Sequence, residues 1–583
     1  MLGGGTTACR TLGAVAEGAA GEAEQDRSGS VTRRGLLAGG AATGLATWIL
    51  GTGTAAAEAA STTTFDDTGL QVVKGATVQA ALAEVDARLE GTLGGPGVMN
   101  VRDYGAVGDG VTNDMPAVID ALIAQKSSPN PLEWVPRFDP AVGGVLYFPP
   151  GRYSLTGIMI IWLSRLQIVG AGTGVTTLLF KQTGYRGPVD FAPKLWLHDP
   201  RPGQRVHDVA VRDLTVTTDL VLDGNSPRES GESPLQAYLA DRVRFTGVEV
   251  VKSPAFGISV TDCTDVMVDH CHVHDAHIDG IHLKGVTGGR VHACRVDHTG
   301  DDAIAVSGGS ATDFETGLSR QVVVSANVVS RSGSRGITVF GADGVVVSAN
   351  TVKDTHQTGI GVLPDQRSGN TRHVVIQGNH LDGIGTFGSS PDDVLWGAGT
   401  PYAVAVGNGD DQTVPNQTVD DVLVEGNLVN DTLNGFVCVE KASDVKVAGN
   451  LFYGPIQTRQ PAAGSYQRLG SAGVGQILPP PAPYAGGSTP VFPAVRVRRA
   501  KRVRIDNNLV RPATNERSVL VEGPTAADVV RARVSDNSFD RGTAPPLGTG
   551  GADELAVTPA GVVVNQGGND VNGLAIAPAS TPA

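Results

Sequence analysis

Two aspartates and one arginine stand at a fixed position of a repeat, with a third aspartate beside them, and that combination can handle protons. Asp279, Asp302 and Arg335 each stand immediately before a short Gly/Ala-Ile-x-apolar segment, and Asp301 precedes Asp302. Carboxylates brought close together cannot all ionise freely, so at least one pKa rises. A site built this way obtains a proton donor and a base from a single residue type.

The elements that must position these residues show as an internal repeat. Gly257-Ile-Ser-Val, Gly280-Ile-His-Leu, Ala303-Ile-Ala-Val, Gly336-Ile-Thr-Val and Gly359-Ile-Gly-Val follow one another at spacings of 23, 23, 33 and 23 residues. Cys271, Cys294, Asn327 and Asn350 each lie nine residues before the matching Gly or Ala, and Asn379, Asn427, Asn450, Asn508 and Asn537 continue that series. Register resumes after the ten extra residues before Gly336, which therefore form a loop insertion.

A unit of about 23 residues is too short for two helices, and its β-branched runs are only a few residues long. Such a unit cannot bury its own apolar face, so successive coils must stack. The recurrent Asn suits a turn, because it tolerates the left-handed conformation and its amide can bond to the next rung. The expected fold is all-β: a right-handed parallel β-helix, a single-stranded solenoid with an N-terminal capping helix. Equivalent positions then lie about 4.8 Å apart on successive rungs. Asp279 and Asp302 become neighbours, with Asp301 beside them and Arg335 on the following coil.

The segments His277-Ile-Asp-Gly-Ile281, Thr299-Gly-Asp-Asp-Ala-Ile-Ala-Val306 and Ser334-Arg-Gly-Ile-Thr-Val339, in this order and spacing, resemble the N-T-D-G, [GQ]-D-D and G-H-G motifs of glycoside hydrolase family 28, the polygalacturonase and rhamnogalacturonase group. The resemblance implies that Asp301 is the general acid, and that Asp279 and Asp302 activate water for an inverting attack. Two departures bear on the substrate. Arg335 stands where polygalacturonases have His, and the R-x-K motif that binds a galacturonate carboxylate falls on Gly361 and Leu363. A neutral or differently charged glycan is therefore as compatible as galacturonan. Met99 to Gln125, with Gly143 to Gly157 and Leu166 to Gly172, resembles the N-terminal signature of the pectate-lyase-like superfamily. That signature implies the fold and leaves the activity open.

Composition agrees with one large solenoid: 583 residues with 78 Gly, 34 Pro and 18% charged residues. A formal charge of −14 argues against a nucleic-acid partner. Residues 1–60 read as a twin-arginine export signal, with Arg33-Arg34 ahead of an apolar run ending at Leu50 and small residues at Ala55, Ala56, Ala57 and Ala59. That run is shorter than the ~20 residues needed to span a bilayer. The expected location is secreted, periplasmic or at the cell surface, with no membrane association after cleavage. Residues 61–97 hold a short helical stripe, Thr77 to Leu89, and a linker. Residues 98–542 form the β-helix domain, with Thr112-Asn113-Asp114 capping a helix that closes its first coil. Insertions are expected at 385–417 and 454–493, and a terminal cap or tail at 543–583. The basic run Val495 to Ile505 fits an outer, solvated face.

Further side chains join the expected site. His277 and His298 are candidate cleft residues, and Trp396 and Tyr402 offer planes on which sugars stack. With Arg335 these make up the candidate substrate-binding set. No cofactor is implied. His270, His272 and His274 alternate along one strand but show no closed ligand set of known spacing, so no metal site is assigned. Cys271 and Cys294 occupy equivalent positions on adjacent coils and fit either a disulfide or stacked thiols. Three functions are compatible with these residues. The leading one is an exported glycoside hydrolase acting on a polysaccharide. The others are a lyase in which Asp279 and Asp302 hold Ca²⁺ and Arg335 is the base, and a glycan-binding protein without turnover.

Overall fold

The computed structural model describes residues 97–575 except for segments at 127, 182–192, 220–232, 310–316, 365–368, 386–401, 408–417, 433–434, 457–493, 512–518, 523–529, 541–554, 559–561, 568 and 572–573. The export signal, the Thr77–Leu89 stripe and Trp396 lie outside the described residues.

Each coil supplies three short strands. Thr264–Asp269, His272–Ala276 and Ile281–Lys284 are followed one coil later by Thr287–His292, Arg295–Thr299 and Ile304–Ser307. These strands pair in parallel with their successors one coil on, as in Val268 with Val291, Val273 with Val296 and Ile281 with Ile304. These are the partners that the 23-residue spacing demands. One face of the solenoid is a thirteen-stranded sheet from Met159–Ile161 to Leu555–Thr558, and the other two faces merge into a sheet of 29 strands. Alternation places Val, Ile and Leu inward, where Val268, Val291, Val273, Val296, Ile281 and Ile304 are all buried.

The helix Met115–Leu122 turns Met115, Ala117, Val118, Ala121 and Leu122 into the same core at the N-terminal end. Asp114 precedes it, but its carboxylate accepts from the Val107 and Gly108 amides and fastens the preceding loop instead of capping the helix. Parallel rungs also reach beyond residue 542, through Leu555–Thr558 and Val562–Gly567.

The asparagines form a continuous buried ladder. Asn327 Nδ2 donates to Asn350 Oδ1 at 2.9 Å, Asn350 to Asn379, Asn379 to Asn427, and so on to Asn569. Each amide also donates to a backbone carbonyl on the preceding rung, such as Asn450 Nδ2 to Val424 O at 3.0 Å. The left-handed residue is not the Asn itself, as its turn propensity suggested, but the residue before it: His270, Ala293, Ala326, Ala349, Asn507 and Asp536, with Gly at 378, 426 and 449. A Cβ in that conformation costs about 1–2 kcal/mol, which the bonds of the inward-facing Asn offset. Cys271 and Cys294 fill the first two places of this ladder as free thiols, and Cys294 N donates to Asn327 Oδ1 at 2.9 Å.

Candidate active site

The acidic cluster sits in the turn that leads into the thirteen-stranded sheet. In each coil the chain leaves a strand of the large sheet, makes a short turn, and enters the next strand at Gly280, Ala303 or Gly336. Gly280 is required by close approach: a Cβ there would come 2.3 Å from Val296 Cγ1 and 2.6 Å from Ala303 O. That contact presses the turn of Asp279 onto the turn of Asp301 and Asp302.

Backbone amides then link the rungs through the carboxylates. Asp302 N donates to Asp279 Oδ1 at 3.1 Å, and Arg335 N donates to Asp302 Oδ1 at 3.0 Å. The Arg335 guanidinium adds a contact to Asp302 Oδ2 at 3.3 Å. Asp301 is held through its main chain, with its carbonyl accepting from Thr299 Oγ1 and Ser332 Oγ, both at 2.8 Å. Oxygens of Asp279, Asp301 and Asp302 all lie within 4.8 Å of one another. Asp279 and Asp302 are buried, while Asp301 remains partly open to solvent.

This packing sets the protonation. Burial, and then the charges of Asp302 and Asp279, push the Asp301 carboxyl up to about 7. Burial and then Asp302 also hold Asp279 well above the usual carboxylate range. For Arg335, burial opposes the charge, but Asp302 and Asp301 outweigh it and its pKa is raised.

Residues 98–189 match the family described as rhamnogalacturonase A/epimerase, pectate lyase-like, and residues 216–381 match the right-handed β-helix region. These matches, with the stacked parallel rungs, support a right-handed β-helix protein of the pectate-lyase-like kind. Among curated proteins it is similar to alginate lyase 7 of Azotobacter vinelandii, 30% identical over 145 residues that make up 23% of this chain and 13% of that protein. It is also 26% identical over 196 residues to mannuronan C5-epimerase AlgE2 of the same organism, covering 31% of this chain and 17% of that protein. The chain thus spans only a small part of the length of these relatives. Among solved structures, pre-mature bacteriophage phi29 gene product 12 has a TM-score of 0.53 at 15% identity, covering 84% of this chain and 59% of that one, a likeness of fold alone.

On this pectate-lyase-like scaffold the remaining expected residues separate. His277 is in the turn of Asp279 and is buried, with its amide donating to Ser253 O at 2.9 Å. His298 Nδ1 lies 2.6 Å from Asp275 Oδ1, a contact outside the acidic trio. Tyr402 is corrected outright. It belongs to the strand Tyr402–Val406, a regular rung paired with Gly435, and it is fully buried, so it offers no face to a sugar. Part of the expected 385–417 insertion is therefore a coil, whose Ala403-Val404-Ala405-Val406 is one more copy of the repeat.

His282 was not singled out from the sequence as a site residue. It lies one strand position beyond Ile281, on the outward side, with Nδ1 2.7 Å from Asp279 Oδ2 and Nε2 2.7 Å from Ser307 Oγ. Burial, with Lys284 next, lowers its pKa to about 4. The imidazole is thus neutral at neutral pH, and its contact with Asp279 is a hydrogen bond between partners that share a proton, not an ion pair. Its place two residues after Gly280 is the signal that would have found it. Three rungs earlier on the same sheet, Trp196 stacks on His198 with ring centroids 4.6 Å apart. Lys194 Nζ lies 4.8 Å from the Trp196 ring and donates to Gln236 Oε1 at 2.8 Å.

The basic run is where alternation predicts it, with Lys501, Arg502 and Arg504 exposed and Arg502 paired with Asp444. Arg502 and Arg504, with Lys446, Arg531 and Arg533, line a shallow groove on the large sheet, apart from the acidic trio. No helix among the described residues is long and apolar enough to cross a membrane.

Proposed function

We propose that the chain is a polysaccharide-acting enzyme that hydrolyses a glycosidic bond at the Asp279–Asp301–Asp302 cluster. The observation that carries this reading is the pairing of roles within it: a partly exposed carboxyl, Asp301, with a proton available near neutral pH, beside a second carboxylate, Asp302, on the same rung. Asp301 gives its proton to the glycosidic oxygen as the bond to the anomeric carbon breaks. Water supplies the new bond to that carbon and loses its proton to Asp302, while Asp279 and His282 orient the water. Trp196, about 14 Å away at 4.8 Å per rung, offers a plane for a sugar further along the chain.

The oxygens within 4.8 Å form a tighter group than the ~6.5–9.5 Å that leaves room for water in an inverting pair. The anomer first formed, read by proton NMR, distinguishes direct attack by water from attack by a carboxylate.

A second reading, β-elimination, draws on the names of the relatives and on the oxygen-rich trio, which fits a hard cation such as Ca²⁺. Arg335 does not fit as the base in that reaction, because a guanidinium keeps its proton and Asp302 and Asp301 strengthen its hold. Pectic, hemicellulosic and alginate polymers, assayed for reducing ends and for unsaturated uronate with and without EDTA, separate the readings. New reducing ends without unsaturated product, indifferent to EDTA and lost in Asp301→Asn, support hydrolysis. Unsaturated product lost with EDTA supports elimination, and binding without either product supports a glycan-binding role. We also propose that export follows the twin-arginine route. Fusing residues 1–60 to a reporter, with Arg33→Lys and Arg34→Lys as control, tests this, and transport that survives both changes refutes it.

A further inference from the structure

We propose that Glu249, His272 and His274 form a binding site for a transition-metal dication of the zinc class on the outer face of the solenoid. The site is separate from the acidic cluster and does not depend on the function proposed above.

Alternation along the strand His272–Ala276 sends Val273 into the core and both histidines outward. The neighbouring strand Ala240–Ser253 aligns Glu249 with His272 and Val251 with His274. His274 Nε2 and His272 Nδ1 lie 3.4 and 3.8 Å from the same oxygen, Glu249 Oε1, and all three donor atoms fall within 4.8 Å of one another. A tetrahedral ion with ligand bonds of about 2.0–2.1 Å has ligand-to-ligand edges of roughly 3.3–3.4 Å. The spacing is thus close to that of a metal shell and long for a direct hydrogen bond.

The atoms not aimed at this point are already engaged. Asp275 Oδ2 lies 2.9 Å from His274 Nδ1, which fixes the ring and leaves Nε2 toward Glu249. Thr215 Oγ1 donates to Glu249 Oε2 at 2.7 Å, leaving Oε1 toward the histidines. Carboxylate-to-imidazole support of this kind is what orients histidine ligands at metal sites. The three ligands are 36%, 24% and 24% exposed for His272, His274 and Glu249, so water can complete the shell and the ion has a way in. Two imidazoles with one carboxylate favour zinc over Ca²⁺ or Mg²⁺. Arg295, the register partner of His272, works against a cation, whereas Asp275 and Asp297 favour one. A bound ion would tie two coils together at the strand that runs directly into the turn of Asp279.

The test uses tag-free, full-length protein stripped with a chelator and titrated with Zn²⁺ or Co²⁺. The expected result is one ion per chain and, with Co²⁺, the intense visible bands of low coordination number. His272→Ala and His274→Ala should each abolish that spectrum, with an unchanged circular dichroism spectrum showing that the fold persists. Asp275→Asn should weaken binding about 10- to 100-fold, an effect absent if Asp275 merely packs there. Asp279→Asn should leave stoichiometry and spectrum intact. Absence of binding at micromolar metal overturns the proposal. So does a Co²⁺ spectrum that survives in His272→Ala or His274→Ala, or one that disappears in Asp279→Asn. Should a His→Ala variant fail to fold, Glu249→Gln supplies the same comparison.

Discussion

Two stacks of polar side chains climb this solenoid, and they obey opposite rules. In the asparagine ladder each side chain both donates and accepts, so Asn427, Asn450 and Asn508 satisfy one another indefinitely. In the carboxylate stack every side chain only accepts, and the rungs are joined by backbone amides pointing the other way, from Asp302 N back to Asp279 and from Arg335 N back to Asp302. An amide stack closes on itself and is chemically silent. Stacked carboxylates reach no such closure, and the excess must be met by protons or by a cation. Here both occur, as raised pKa values at Asp279 and Asp301 and as Arg335 on the next rung. The same rung spacing yields a structural spine in one place and a proton-active site in another, and the difference lies in a single atom type.

The largest expected effect comes from closing the acidic stack. Asp301→Asn keeps the shape and removes the proton, so turnover on a polymer found by the screen should fall about 10²- to 10⁴-fold, the usual contribution of a general acid, with the melting temperature nearly unchanged. Equal loss of stability and activity would make Asp301 a structural residue. The opposite substitution opens the silent stack. Asn450→Ala strands the buried Asn427 amide groups and the Val424 carbonyl, at a cost of about 3 kcal/mol or more. Denaturant titration measures this, and activity per folded molecule should be unaffected.

Asn450→Asp sharpens the contrast, because it creates a carboxylate where only an amide is satisfied. Burial would raise its pKa in the fold above that of the unfolded chain. The protonated form is then the stable one, so stability is greatest below the ordinary carboxylate pKa and is lost as pH rises. Melting temperatures at pH 4 and pH 7 should diverge more in this variant than in the natural sequence.

A smaller effect is expected from the cation that partly closes the acidic stack. Activity needs Asp301 protonated, so it should fall as pH rises through about 7. Arg335 opposes that proton. In Arg335→Gln the alkaline limb of the pH–rate profile should therefore move upward, and a limb that stays in place would remove Arg335 from the electrostatics of the site. Stability follows the same sign: the contribution of protonated Asp301 is complete below 3.8 and is lost as pH rises through about 7.

Much of this was legible in the sequence because a solenoid converts spacing into position. The 23-residue period, with one ten-residue insertion, placed Asp279, Asp302 and Arg335 on consecutive rungs, and the structure aligns Ile281, Ile304 and Ile337 accordingly. Where the period is interrupted, inference from composition failed. Tyr402 read as a loop aromatic because long insertions flank it, whereas its Ala403-Val404-Ala405-Val406 continues the rung pattern and buries it. His282 escaped for a different reason: its role depends on which way a strand faces, and a run with apolar residues on both sides does not announce its outward position. The left-handed residue before each Asn was misassigned because propensity favours Asn in that conformation. The ladder instead uses the Asn amide, and a neighbour such as Ala326 or Ala349 accepts the strained dihedral.

The smallest effect tests where the asparagine ladder ends. Cys294 sits at its lower margin, where its N–H donates to Asn327 Oδ1 on the rung above. Its thiol lies within reach of the carbonyls of Val268 and His292, the positions that Asn side-chain amides serve higher in the stack, as Asn450 does with Val424 and Ala448. In Cys294→Asn the new amide would meet an acceptor already in place at Asn327 Oδ1 and the same two carbonyls. The gain of one hydrogen bond, about 1 kcal/mol, is opposed by the slightly larger side chain in a fully packed coil. The net change should be under about 1 kcal/mol in either direction, against about 3 kcal/mol lost in Asn450→Ala. A loss at Cys294→Asn as large as that one would mean that the lower coils, the ones carrying Asp279 and Asp302, are packed for sulfur and do not tolerate the spine that supports the rest.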